Sequence, residues 1–423
     1  ARQHRAGARP GAVRAAALER DIIGAFPLRG AAPPAAMSIL APPPLSLYIH
    51  LPWCVRKCPY CDFNSHTLRG ALPEDAYVNA LLRDLELDAP LVAGRTVEPV
   101  FIGGGTPSLF RPESIARLLE GVRARVPLAP DAEITLEANP GTVERERFRG
   151  FRAAGINRLS IGVQSFDDAK LAALGRIHGR AEAIAAVNAA RGAGFENLNL
   201  DLMYALPAQE AAEAVADVET ALRFAPSHLS VYQLTLEPNT PFHRSPPRLP
   251  DEDAVDAMQE AIVDRLAGAG YAQYEVSAYA RPGRECRHNR NYWEFGDYLG
   301  IGAGAHAKLT LAERVLRIAK TRHPDAYLRA AGREEARASV RALDADDLAF
   351  EFMLNALRLR DGVPAALFTA RTGLPLARVT PILAAARERG LLEPDEERLR
   401  ASALGRRFLN DLVAMFLPDG ARN

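Results

Sequence analysis

The stretch from Trp53 to Phe63, WCVRKCPYCDF, places three of the chain's four cysteines, Cys54, Cys58 and Cys61, within eight residues. Thiolates are soft ligands and strong nucleophiles, so this Cys-x3-Cys-x2-Cys spacing points to metal binding or thiol chemistry rather than to a disulfide framework. Three chemistries are open. Zinc normally takes four ligands, and with no second Cys-x2-Cys in the chain, His50 or His66 would have to complete the site. Thioredoxin-like exchange needs one Cys-x2-Cys pair; Cys58 and Cys61 have that spacing, but Cys54 is left over. Iron–sulfur clusters are held by cysteine thiolates, normally four for [4Fe-4S]. Three in one loop would leave one iron open to a small molecule, as an open catalytic metal site does.

The loop must be positioned by the elements around it. From Leu45 onward, short apolar runs begin at Leu45, Glu98, Glu133, Arg158, Asn197 and His228. Ala/Leu/Arg-rich segments with helical spacing, such as PESIARLLEGVRARV and AEAIAAVNAARGAGF, lie between them. Repeated βα units predict a parallel sheet with right-handed crossovers. About six units suit a partial (β/α)6 barrel, an α/β fold, better than a closed eight-fold one. Each run ends in polar or glycine residues: the Cys loop, Gly103-Gly104-Gly105-Thr106, Glu137-Ala138-Asn139-Pro140, Gln164-Ser165 and Asp201. The C-terminal strand ends of such folds form the functional face, so these positions should converge. Strand termination accounts for Asn139 and Pro140, less easily for Glu137, Gln164 and Asp201.

Composition sets the outer bounds. The chain has 423 residues, 48% hydrophobic and 25% charged, with 52 basic and 52 acidic residues. Zero net charge gives no global electrostatic case for nucleic acid or an anionic membrane. No apolar run approaches the roughly 18 residues that span a bilayer. Residues 1–40 read as a disordered or artefactual extension: the first 36 are rich in Ala and Arg and poor in acids, and Met37 precedes the organised sequence. A transit peptide would share that basic, acid-poor character but is usually rich in serine, which is absent there. Residues 41–280 carry the barrel and 281–344 an extension with a polar-aromatic cluster, CRHNRNYWEFGDYLGIGAGAH. Residues 345–423 read as a small helical, winged-helix-like domain, with ERGLLEPDEERLRAS as a hairpin wing.

The Cys-x3-Cys-x2-Cys loop with Tyr60 before its last cysteine, followed by GGGTP at the end of the next strand, resembles the radical S-adenosylmethionine superfamily. The resemblance implies a [4Fe-4S] cluster on Cys54, Cys58 and Cys61, whose open iron is chelated by S-adenosyl-L-methionine. YIHLPWCVRKCPYCDFNSH, FIGGGTPSLF, LEANPGT, LSIGVQSF, LGRIHGR and NLDLMYALP together are similar to the coproporphyrinogen dehydrogenase-like group, from about Leu45 to His306. The C-terminal piece is similar to that group's small helical domain. By motif, Tyr48, Tyr60, Gly104, Gly105, Thr106, Glu137, Gln164, Arg176 and Asp201 would contact S-adenosylmethionine. Glycines admit close backbone approach, carboxylates accept from amino or ribose groups, and Arg176 can pair a carboxylate bidentately.

Within the group, the decarboxylating enzymes carry a further cysteine where this chain has Phe63, and they lack the HNxxYW element, present here from His288 to Trp293. Both features match the heme chaperone branch. The resemblance then implies a cytoplasmic protein that binds heme and delivers it to respiratory enzymes, with peripheral membrane contact where acceptors are membrane-bound. His288 is a candidate heme ligand, since imidazole is a common axial ligand and Tyr and Trp offer faces to a porphyrin. Cys286 and His178 read as structural. The alternative is oxygen-independent coproporphyrinogen III oxidase chemistry in porphyrin biosynthesis.

Overall fold

Six apolar runs become six parallel strands, β1 (Leu45–Leu51), β2 (Val97–Gly104), β3 (Leu128–Ala138), β4 (Arg158–Gln164), β5 (Asn197–Tyr204) and β6 (His228–Gln233). Helices α1 (Glu74–Asp88), α2 (Pro112–Arg123), α3 (Arg145–Ala154), α4 (Arg180–Gly192), α5 (Ala211–Leu222) and α6 (Glu252–Gly268) follow them in turn. The computed structural model describes residues 40–141 and 145–418; of the extension expected over residues 1–40, residues 1–39 lie outside the described residues.

The strands alternate, and the alternation sorts them into two faces. Leu47, Ile49, Leu136, Ile161, Leu200 and Leu229 pack with Tyr77, Leu118, Phe148, Val187 and Val218 of the helices in one core. The intervening positions are polar or aromatic: Tyr48 and His50, Glu133 and Glu137, Arg158 and Ser160, Asn199 and Asp201, His228 and Ser230. A sheet covered by helices on both faces would read as continuous apolar runs. Here the concave face is kept for chemistry.

The sheet has twelve strands among the described residues, more than the six repeats imply. Beyond β6 lie β7 (Ala272–Gln273) and β8 (Ala278–Ala280), antiparallel. Beyond β1 lies a seventh parallel strand, β9 (Asp297–Ile301), reached through helix α7 (Arg287–Trp293). Antiparallel β10 (His306–Leu311), β11 (Arg314–Lys320) and β12 (Arg337–Ala342) complete that edge. A buried ion cluster fixes them to α1. Lys320 Nζ donates to Asp84 at 2.5 Å and Asp88 at 2.6 Å, Arg337 pairs with Asp88 at 2.6 Å, and Tyr327 donates to Asp84 at 2.7 Å.

The C-terminal part is a second core. Asp344 caps α8 (Ala345–Ala356) by accepting from the N–H groups of Asp346 and Asp347. Phe352, Phe368, Leu383, Leu392 and Phe416 pack there against Phe295 from the barrel side. Helices α9 (Ala366–Thr372) and α10 (Thr380–Glu388) lead into a return in which Glu393 N–H donates to Arg400 at 2.9 Å and Arg398–Leu399 pairs with Val363–Pro364. Three helices with this small antiparallel wing give the winged-helix-like shape.

Candidate functional site

The Cys loop is stapled at its base. Trp53–Cys54 pairs with His66–Thr67, and Leu68 N–H donates to Cys54 O at 2.8 Å. Lys57 Nζ crosses the loop to Phe63 O at 2.9 Å, and Asn64 Nδ2 ties it to Ala303 O at 2.8 Å. The glycine turn packs beneath, with Gly105 N–H donating to Leu51 O and Thr106 N–H to Trp53 O, both at 2.8 Å. Gly104 has φ +118°, and a Cβ there would lie 2.6 Å from the His50 ring; one at Gly105 would lie 2.5 Å from Trp53 O. Only glycine allows this approach of turn to loop.

All four thiols are free. Burial pushes the Cys54 thiol up, against hydrogen bonds from Thr106 and Ser65. His50 cannot readily complete a zinc site: it shares a 2.9 Å hydrogen bond with Tyr48 through Nδ1 and donates to Asn64 O at 2.9 Å through Nε2. No three His, Cys, Asp or Glu among the described residues stand close enough to hold a single ion. Three thiolates on one loop are a donor set that fits a [4Fe-4S] cluster with one iron left open.

The strand ends converge as their spacing predicts. Cys54, Cys58, Tyr60, Cys61, Gly104, Gly105, Thr106, Glu137, Gln164, Arg176 and Asp201 all line one cavity of about 1640 Å³. Arg176 reaches Cys58 Sγ at 3.6 Å, Asn139 Oδ1 at 2.6 Å and Gly162 O at 2.8 Å, and its buried Nε has no partner. Glu137 accepts from Gly104 N–H at 3.1 Å. Burial, then the nearby Asp201, pushes Glu137 up to about 7. Burial likewise raises Asp201, against donors Asn199 and Ser160 at 2.8 and 3.0 Å. Gln164 takes φ +70° at a bulge opposite β5, a backbone state that a non-glycine residue holds only under constraint. Two buried carboxyls, an arginine with a spare donor and a close glycine turn suit a zwitterionic amino acid with ribose hydroxyls.

Tyr48 and His288 are not among the residues lining that cavity. Tyr48 stacks with Phe101 and His288, centroids 6.3 Å apart in each pair. His288 is 2% exposed, with Phe101 at 5.1 Å and Tyr292 edge-on at 4.7 Å. Its Nδ1 is buried without a hydrogen-bond partner, and burial, then Arg158, lowers its pKa to about 3. The imidazole is therefore neutral. Asn289, Tyr292 and Trp293 of the same helix do reach the cavity wall.

Sequence reasoning set Asn139 aside as a strand terminator. In the fold it joins Thr106, at 2.9 Å, to Arg176. It also passed over a buried chain on the concave face. Asn199 links Asp201 to His228 (2.7 Å), His228 meets Tyr274 (2.9 Å), and Tyr274 accepts from Cys286 N–H (3.3 Å) at the start of α7. Polar residues at every second strand position were the available signal.

This barrel, with a three-cysteine loop over polar strand ends and a helical C-terminal domain, defines a class. Residues 48–221 match the radical SAM superfamily and residues 343–408 the HemN C-terminal domain. The chain is 52% identical over 378 residues to the heme chaperone HemW of Escherichia coli K12, covering 89% of this chain and 99% of that protein. It is 48% identical over 382 residues to the heme chaperone HemW of Haemophilus influenzae, covering 89% and 99%. A solved structure, the coproporphyrinogen III oxidase HemN of E. coli, described as a radical SAM enzyme, superposes with TM-score 0.75 at 26% identity, covering 89% and 90%. The chain belongs to the HemW family of radical SAM proteins. Membership of the superfamily implies a [4Fe-4S] cluster and S-adenosylmethionine. Among the described residues, no helix is long and apolar enough to cross a membrane.

Proposed function

We propose that this chain is a heme chaperone, binding heme and passing it to acceptor hemoproteins such as respiratory enzymes. One observation carries the reading. Four large apolar side chains, Phe63, Tyr232, Val276 and Phe408, are 56, 43, 37 and 39% exposed, and all four line the cavity over the Cys loop. Concave exposed apolar surface of this extent suits a flat, largely apolar ring. The relatives named as heme chaperones agree with it.

In this reading Cys54, Cys58 and Cys61 hold the cluster. Tyr60, Gly104, Gly105, Thr106, Glu137, Gln164, Arg176 and Asp201 hold exchangeable S-adenosylmethionine, with Tyr48 bracing His50 behind the glycine turn. Bound together, cluster and cofactor supply reductive sulfonium cleavage; the chain's residues orient them and exclude water. His288, neutral and with its Nδ1 free of hydrogen bonds, is the candidate heme ligand, on a helix whose Asn289, Tyr292 and Trp293 line the cavity. Residues 41–280 act as the barrel, 281–344 as its heme-side extension and 345–423 as the cover. The setting is the reducing cytoplasm, with peripheral contact at membrane-bound acceptors.

The second reading, oxygen-independent coproporphyrinogen III oxidation, draws on the superposition with HemN. Phe63 stands where the resemblance places the oxidases' extra cysteine. An anaerobic assay of the reconstituted chain with S-adenosylmethionine, reductant and coproporphyrinogen III separates the two. The chaperone reading expects no protoporphyrinogen, and a Soret band on heme addition that changes position in His288→Ala. Catalytic protoporphyrinogen formation would overturn it.

A further inference from the structure

We propose that Arg360 and Arg406, backed by Arg400, form a carboxylate-binding corner of the cavity that takes the propionates of the porphyrin. The proposal rests on the heme reading above and adds the polar half of the ligand's recognition.

Four arginines of the C-terminal part line the cavity: Arg358, Arg360, Arg406 and Arg407. Two are already satisfied by charge. Arg358 pairs with Glu275 at 3.6 Å and lies over the Trp293 ring at 4.3 Å. Arg407 pairs with Asp256 at 2.5 Å. Among the described residues, the other two have only neutral hydrogen-bond partners. Arg360 Nη1 donates to Gln273 Oε1 at 2.6 Å, and Arg406 Nη1 to the carbonyl of Ala401 at 3.1 Å. Arg400, behind them, has a buried Nε with no hydrogen-bond partner. Burial first, then the like charges of Arg360 and Arg400, pull Arg406 below the usual arginine value, and Glu393 offsets this only in part. Like charges gathered beside a cavity are stabilised by an incoming anion. The planar guanidinium fork matches a carboxylate bidentately.

Glu252, Asp256, Glu260 and Asp264 of α6 line the same cavity, held beside Arg407 through Asp256, and they would repel a dianionic edge laid on them. The apolar side chains Tyr232, Val276 and Phe408 lie on the same cavity surface. A ring carrying two carboxylates on one edge is therefore favoured with its propionates at Arg360 and Arg406, the two cavity arginines of this part that no acid pairs among the described residues.

The test compares heme with heme dimethyl ester, which keeps the ring and iron but has no propionate charge. The full-length chain is titrated with each and followed by Soret absorbance. The wild type should bind heme about tenfold or more tightly than the ester, the weight of one or two charge-assisted contacts. Arg360→Gln with Arg406→Gln should lower heme affinity to that of the ester and leave the ester unchanged. Arg407→Gln, whose partner is Asp256, should keep the discrimination. Equal binding of heme and ester by the wild type, which needs no variant, overturns the proposal and leaves the heme reading standing. So does a double variant that weakens both ligands equally. Binding of neither ligand by the wild type overturns both.

Discussion

At the scale of the residue, Glu137 shows what a carboxyl buried at the cavity wall costs. Its carboxyl is raised from 4.5 to about 7, chiefly by burial. Below pH 4.5 folded and unfolded chains both hold the proton, and the site costs nothing. As pH rises to 7 the unfolded carboxyl ionises freely while the folded one resists, so stability falls and stays lower above 7. The ceiling is about 3 kcal/mol, reduced by water entering the open cavity. Glu137→Gln should therefore raise the melting temperature of the ligand-free protein at pH 8 and leave it unchanged near pH 4. A wild type as stable at pH 8 as the variant would show that the carboxylate is solvated. Added S-adenosylmethionine, with its cationic groups, should reverse the order by stabilising only the wild type. Glu137 and Asp201 were legible because acids at equivalent strand ends have no structural excuse. Asn139 was not, because asparagine before proline also ends strands without any function.

At the scale of the element, the ion cluster on α1 decides how the sheet is extended. Lys320, Asp84 and Asp88 have fully buried side chains, so removing one partner leaves charge without compensation. Lys320→Ala should cost about 3–5 kcal/mol and be read as a lower denaturation midpoint. Arg149→Ala, at an exposed i,i+3 pair with Glu146, should cost about 0.5 kcal/mol or less. Similar midpoints for the two would mean that β11 and β12 are held by their ladders alone. None of this was readable from sequence. Asp84 and Asp88 stand at i,i+4 on α1, a pattern that ordinarily marks a solvated helix face, and Lys320 lies 236 residues from Asp84. The six barrel strands were readable because each is an isolated apolar run between helices. The seventh parallel strand, β9, was not. It is five residues long and follows α7 directly, inside a segment whose aromatic and glycine content masks any period.

At the scale of the whole molecule, one cavity gathers residues from Cys54 to Ala414. Its floor was legible, since the cysteine and glycine motifs stand at strand ends, which the fold brings together. Its cover was not, since Tyr232, Val276, Arg360 and Phe408 belong to unrelated elements whose only common property is the space they face. A ligand bound between them should couple parts of the chain that otherwise open independently. Hydrogen exchange followed with and without heme tests this. Heme should slow residues 231–237 and 273–277 of the barrel and 403–414 of the C-terminal part together, while β11 and β12, fixed through Lys320 on the far edge, stay unchanged. S-adenosylmethionine alone should slow residues 102–106 and 160–164 and leave 403–414 as they were, because its proposed partners lie on the floor. Protection by heme confined to residues 287–293 would place the porphyrin on α7 alone, away from the C-terminal side of the cavity. The exposed apolar wall would then belong to a protein partner, and the C-terminal part would not be the cover of a porphyrin site.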